Sequence, residues 1–506
     1  MSEMSVAALR AERRGTCVEL VTRWRWLIAC VAALLVYFPT FRTRPVFDDF
    51  AHVEFAARQG WNLLHMGPVF FRPIERILIG VNWLLFGANF WLVKLVAVAV
   101  LVLKAGLVHE IAKRIVSPAW PWAPAVIAAI FLAHPMHVSA VGKIDTVSED
   151  LAALFALLVV LFAFVAAEAN DAKDSGKALR AVVGAAVMVF FGMLSKEAFA
   201  GVAAATPFMF ATALGSSQRG SRRLLAGLLA LEGALGAGYL VLRHASGFSL
   251  AAPNGAGRYQ LHFGLNVIKN IAAELGSIGF PGSTLAVFVR LDIVHVIISA
   301  GLLIVFVALF RERLVDMTFG AGTLPAVRRR AVLIVLLATV AAFFPTCLIP
   351  DLVSENQTAL ALPFVVLLLL ACPLGSPPQG ALARTGRLAC LSLVAITWMV
   401  SATTGKVLAA YETSVRAYGI GDEILARYFE HPVPQVIFCF QPSVRSKPTK
   451  YSIFSLPDDK AAEFQLYRLR ILNPAPVVSI VDLRQASGGE RPSCTLSMSG
   501  ESISRR

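Results

Sequence analysis

Charge is scarce in this chain. Of its 506 residues only 15% are charged, 57% are hydrophobic, and the mean hydropathy is +0.68. That balance excludes a soluble globular protein of this length. Cysteine is sparse as well. The seven cysteines form no CxxC pair and no zinc-type spacing, which gives no metal scaffold. No internal repeat or low-complexity tract appears, which excludes a solenoid. No small-residue cleavage site precedes the polar stretch at residue 42, so the basic front (Arg10, Arg13, Arg14, Arg23, Arg25) and the apolar run after it are expected to act as an uncleaved signal anchor.

What the chain does have is long apolar runs, among them Trp26–Phe41, Leu151–Ala167, Ala331–Phe344 and Leu388–Val400. Crossing the hydrocarbon core takes ~20 mostly apolar residues, and lipid cannot satisfy a loose backbone. The expected class is an all-α polytopic membrane protein. About eleven spans are expected, near 25–41, 90–110, 122–138, 150–168, 180–194, 198–214, 224–242, 292–310, 331–349, 358–374 and 388–404. Residues 1–24 precede them, and 25–404 form the membrane domain. The proposed cytoplasmic segments hold twenty Lys and Arg against eleven in the proposed external ones, which sets the N-terminus inside. The formal net charge of +14 is therefore topology information and not a nucleic-acid groove.

Two external segments need comment. The first, 42–89, contains RPIERILIGVNWLLFG at 72–87, whose apolar part is short for a span, and an amphipathic helix on the outer face is expected. The second, 243–291, carries Arg243, Arg258, Lys269, Glu274 and Arg290 and reads as a loop with one or two surface helices. Residues 405–506 read as a small α/β extramembrane domain. Its helices are expected near 406–430 and 458–472 and its strands at 435–440 and 477–482.

On this topology the ionisable residues gather on one membrane face. They are Asp48 and Asp49; Arg72, Glu75 and Arg76; His134 and His137; Lys143, Asp145, Glu149 and Asp150; Lys196 and Glu197; and Asp351 and Glu355. Charges at membrane depth are costly and are usually kept for function or paired.

Their order and spacing carry a resemblance. Asp-Asp in the first external loop, FRP at 71–73, HPMHVSAVGKIDTVSEDLAALFALL at 134–158 and LSKE at 194–197 resemble the membrane portion of protein O-mannosyltransferases of the transmembrane-and-tetratricopeptide type, within the GT-C superfamily. The resemblance covers about residues 26–210. It implies a GT-C-like fold, a polyprenyl-phosphate-sugar donor, and an acidic residue in the first external loop that deprotonates or positions the acceptor. It also implies that Asp145 and Glu149 face the donor site. The tetratricopeptide array is absent, and the tail at 405–506 is different.

Each candidate has a plain structural rival. The acceptor hydroxyl needs a carboxylate base, which favours Asp48 or Asp49; the rival is a helix cap. His134 and His137 suit a phosphate, the acceptor or a divalent metal, or else simply end a helix that Pro135 kinks. Asp145, Glu149 and Asp150 suit a helix N-terminus electrostatically whatever else they do. Lys196 and Arg72 suit a lipid phosphate, while Glu197 offers Lys196 a partner. Arg243, His244 and Arg258 are further phosphate candidates, and Glu355 lies in SENQTALALP, an echo of a family pattern with altered spacing. Cys439 and Cys494 form a disulfide if the tail lies in an oxidising compartment; two unrelated thiols is the other reading.

The expected partners are a polyprenyl-phosphate-sugar donor, an acceptor protein, lipid or glycan, and the membrane itself. No cofactor is assigned, and a divalent metal stays open. The rival class is a transporter or lipid-linked-sugar flippase, which should show paired broken helices in matched halves.

Overall fold

The computed structural model describes residues 29–43, 49–59, 71–87, 89–144, 146–215, 219–246, 262–279, 326–348, 358–371, 381–441, 466–470, 475–482, 493–499 and 502–505, together with 27, 374 and 472. In chain order the helices are α1 (Ala29–Arg42), α2 (Asp49–Gln59), α3 (Pro73–Phe86), α4 (Trp91–Ile115), α5 (Ala123–Leu132), α6 (His137–Gly142), α7 (Val147–Asp171), α8 (Ser175–Ser195), α9 (Ala200–Leu214), α10 (Arg219–Ala245), α11 (Leu265–Gly279), α12 (Ala326–Cys347), α13 (Leu362–Val366, continued by a π turn over Leu367–Ala371) and α14 (Ala381–Glu430). Among the described residues, α4, α7, α8, α9 with the 3-10 turn before it, α10 and α12 are long and apolar enough to cross a membrane.

The bundle is organised on the α7–α8 hairpin. Small residues make the contact: Ala152, Ala153, Ala156, Ala163 and Ala166 of α7 and Ala181, Ala185 and Ala186 of α8 are all buried in one core. Such residues let helix backbones approach closely where lipid supplies no hydrophobic drive. The reversal is built by Lys173, at φ 57°, and by Asp174, whose side chain accepts from the Lys177 N–H at 2.9 Å and caps α8. Against this hairpin pack α4 and α9, and α12 crosses α9. The crossing is tight at Gly201, where a Cβ would stand 2.1 Å from the Ala341 carbonyl oxygen.

The two ends of the bundle differ in charge. Arg114 at the end of α4 donates to Glu168 at 2.8 Å, and Arg330 at the start of α12 reaches Asp171 at 3.5 Å. The basic clusters 112–114 and 328–330 thus lie at one end. The starts of α3 and α7 and the end of α8 meet at the other, called the mouth below.

Several expectations are refined. A helix forms where the surface helix at 72–87 is expected, begun by Pro73, whose fixed φ and missing N–H suit that position. The third span is not continuous. α5 has ten residues, about 15 Å of rise, and the chain then breaks at His134–Pro135 before α6. Proline removes a donor and clashes with the preceding turn. The last span and the first tail helix are one element: α14 runs 50 residues, about 75 Å, without a break. The span expected at 292–310 lies outside the described residues.

After α14 comes a four-stranded sheet of β1 (Gln435–Gln441), β2 (Val477–Asp482), β3 (Leu496–Ser499) and β4 (Ser502–Arg505), in the order β2-β1-β3-β4. β1 pairs parallel with β2 and β3, and β4 is antiparallel to β3. A short helix, α15 (Tyr467–Arg470), precedes β2. Ile424 and Tyr428 of α14 join Val436, Phe438, Leu466, Leu469 and Leu496 in a separate core. Cys439 and Cys494 are joined by a disulfide with Cα atoms 5.7 Å apart.

Candidate active site

The break between α5 and α6 sets the floor of the site. A helix that stops inside a bundle leaves carbonyls without partners, and here four carbonyls around the break meet side-chain donors. Tyr37 Oη donates to Leu132 O at 3.2 Å, His137 Nε2 to Phe131 O at 2.9 Å, Thr403 Oγ1 to Ala133 O at 2.6 Å and Lys406 Nζ to Pro135 O at 3.0 Å. His134 joins its Nε2 to Ile278 O at 2.8 Å, and its Nδ1 accepts from the Met136 N–H at 3.3 Å. Both histidines are buried and point at backbone. The HPMH motif therefore holds a broken helix together.

Above this floor, three segments bring a charged cluster to the mouth. Arg72 is the residue before α3. Its Nε donates to Glu197 Oε2 at 3.1 Å, and the Phe71 N–H donates to the other carboxylate oxygen at 3.0 Å. Lys196 pairs with Glu149, and Ser148 Oγ donates to Glu149 at 2.8 Å. Glu75 lies at the centre, fully buried, with Arg72 at 3.6 Å and His52 of α2 at 3.2 Å. Arg76 follows one residue on and stacks over Phe55, 4.3 Å from the ring centroid. Three cations thus face three carboxylates, with His52 beside them.

Burial dominates the electrostatics. It pushes the Glu75 carboxyl up, against the pull of Arg72, Arg76 and Lys196. It opposes the charge on Arg72, but Glu197, Glu75 and Glu149 outweigh it and hold that guanidinium above its ordinary range. Arg76 is lowered by burial, with Glu75 resisting. The LSKE turn is fixed from behind. A Cβ on Gly192 would stand 2.4 Å from the Phe199 ring, so glycine there gives that ring its room.

Asp49 opens α2 and is fully buried; its Oδ1 accepts from the Ile144 N–H at 2.8 Å. That bond ties the first loop to the α6–α7 connection, a few residues before Glu149. One turn along α2, His52 reaches Glu75. The aspartate and the lysine–glutamate motif therefore share the mouth. Arg243 stands nearby: its Nη1 lies 3.4 Å from the Tyr239 hydroxyl, and Tyr239 packs edge-on against Phe71. Asp48, Asp145, Arg258 and Glu355 lie outside the described residues.

Sequence reasoning undervalued four groups. Glu75 is the hub of the cluster and not only a helix-starting acid. Lys104 and Asp150 form an ion pair with neither side chain exposed, with Lys104 5.9 Å from the Phe131 ring centroid. Lys94 is buried and donates to Thr40 O at 2.7 Å and Thr43 Oγ1 at 2.8 Å. Glu274 of α11 is buried beside Thr346, and neither carboxylate oxygen has a hydrogen-bond partner among the described residues; burial pushes it up to about 8, against the Thr346 hydroxyl. The available signal was lysine inside an apolar run, which is expensive unless paired. Among the described residues, no group of three His, Cys, Asp or Glu side chains could hold a metal ion.

The sequence matches no protein-family model and no curated protein. Solved structures do match. ArnT from Cupriavidus metallidurans in the apo state aligns with a TM-score of 0.51 at 12% identity, covering 91% of this chain and 90% of that one. ArnT bound to undecaprenyl phosphate aligns with a TM-score of 0.50 at 13% identity, over 92% and 91% of the two chains. At such identity the likeness speaks for the fold. The chain shares the fold of those structures and is an all-α polytopic membrane protein with a small C-terminal α/β domain.

Proposed function

We propose that the chain is a membrane glycosyltransferase that moves a sugar from a polyprenyl-phosphate-linked donor to an acceptor hydroxyl. One observation carries the reading: Arg72 and Arg76 at the start of α3 converge with Lys196 at the end of α8 on a largely buried mouth of the bundle. Cations in such a place suit a phosphate that arrives on a lipid tail. The fold shared with a protein solved with undecaprenyl phosphate supports it.

In the proposed reaction the acceptor oxygen attacks the anomeric carbon. The new C–O bond forms as the carbon–phosphate-oxygen bond breaks, with inversion, and the electron pair leaves on the phosphate. Arg72 and Lys196 stabilise that developing charge, most strongly where water is excluded. Asp48 or Asp49 takes the acceptor's proton or anchors the acceptor. The positive-inside rule places the mouth at the periplasmic face of a bacterial inner membrane, with the N-terminus cytoplasmic. The resemblance favours a hexose such as mannose, and the C-terminal domain is the proposed acceptor reader.

The rival is a transporter or flippase, since α5–α6 is a broken helix. Four of the carbonyls at that break are held by side-chain donors, however, which suits a structural role. The test is transfer from defined polyprenyl-phosphate sugars by the purified full chain. Activity is expected, with a loss of about 10²–10⁴-fold in whichever of Asp48→Asn and Asp49→Asn removes the base. Inactivity of a folded preparation with every donor, or full activity in the double variant, overturns the reading.

A further inference from the structure

Arg72 and Lys196, the cations that face the phosphate in the proposed reaction, each already hold a carboxylate, so a phosphate cannot reach them without displacing one. The donor phosphodiester brings a further negative charge beside those carboxylates, at low dielectric. One internal carboxylate has to leave. Burial decides which. Glu75 is 0% exposed and Glu149 8%, whereas Glu197 is 29% exposed and reaches water by rotating its own side chain. Removing either buried carboxylate would drag a charge through protein.

Geometry points to the same residue. The Phe71 N–H and Arg72 Nε, at 3.0 and 3.1 Å, address the two oxygens of Glu197 separately. Two charge-assisted donors on adjacent residues form a fork that fits two phosphate oxygens as well as two carboxylate oxygens.

We infer that Glu197 is a stand-in anion: it occupies the fork of Phe71 and Arg72 where the donor phosphate docks, and phosphate binding expels it into water. This rests on the mouth being a phosphate site. The resting enzyme thereby keeps its guanidinium paired, and donor binding is an exchange of one anion for another.

The probe is farnesyl phosphate, titrated into the purified full chain in detergent. Glu197→Gln, which can still accept from Phe71, should bind it several-fold more tightly. Glu197→Asp keeps the charge but shortens the reach, and should also bind more tightly. A gain in Gln without a gain in Asp is a mere field effect and overturns the inference, as does wild-type or weaker binding in both. On the unmodified chain, a carbodiimide should label Glu197 faster when farnesyl phosphate is present; slower or equal labelling also overturns it. The underlying reading fails differently: the wild type then ignores farnesyl phosphate, or Arg72→Gln and Lys196→Gln leave its affinity unchanged.

Discussion

Glu274 has a raised folded-state pKa, about 8 against an ordinary 4.5. Its protonated form suits the folded state, so the stability it contributes is complete below about pH 4.5 and drains away as the pH climbs through 8. The slope is at most about 1.4 kcal/mol per pH unit. Melting temperatures of the detergent-solubilised chain should therefore fall from pH 5 to 8. Glu274→Gln should flatten that profile and melt higher at pH 8. The Lys104–Asp150 pair behaves oppositely to a surface bridge. Asp150→Asn strands a buried cation and should cost about 3–5 kcal/mol, whereas Lys104→Met with Asp150→Leu should recover most of the lost melting temperature. At this scale the sequence was legible where charges stand at helix ends, as with Arg72, Lys196 and Glu149. It was less so for Lys104 and Lys94, because their partners come from other helices and no local spacing announces them.

Among elements, the contact of α9 with α12 depends on one missing side chain. Gly201→Ala places a methyl against a backbone carbonyl, which cannot rotate away. A loss of about 1–3 kcal/mol is expected, read as a lower melting temperature, even though alanine is the better helix former. The long apolar helices were readable from hydropathy, because each is one uninterrupted run. The α5–α6 break was only half readable. Pro135 signalled a kink, but the donors that make a full break tolerable, Tyr37, Thr403 and Lys406, lie about a hundred or more residues away in sequence. The strand expectations at 435–440 and 477–482 coincide with β1 and β2 because short runs of β-branched and aromatic residues mark them. β3 and β4 have short, serine-rich sequences with no such signal.

For the whole molecule, the disulfide closes a 55-residue loop across β1 and β3. Loop-closure entropy suggests about 4 kcal/mol for such a link. Cys439→Ser in the full chain should make the C-terminal sheet more sensitive to limited proteolysis while leaving the bundle resistant. Equal sensitivity would show that the sheet does not depend on the link. The same domain touches the mouth from above: Arg470 at the end of α15 lies 3.8 Å from Glu54 of α2. Asp49 opens the same helix about one and a half turns before Glu54, so the proposed acceptor reader and the proposed base are mechanically adjacent.

The unbroken course of α14 has its own consequence. One rigid rod carries Thr403 and Lys406, which clasp the α5–α6 break, and Ile424 and Tyr428, which seat the sheet. Without a joint between them, the head cannot swivel by itself. Any torque applied there, such as the tug of a bulky acceptor, is delivered some 30 Å down the shaft to the clasp beside the reaction centre.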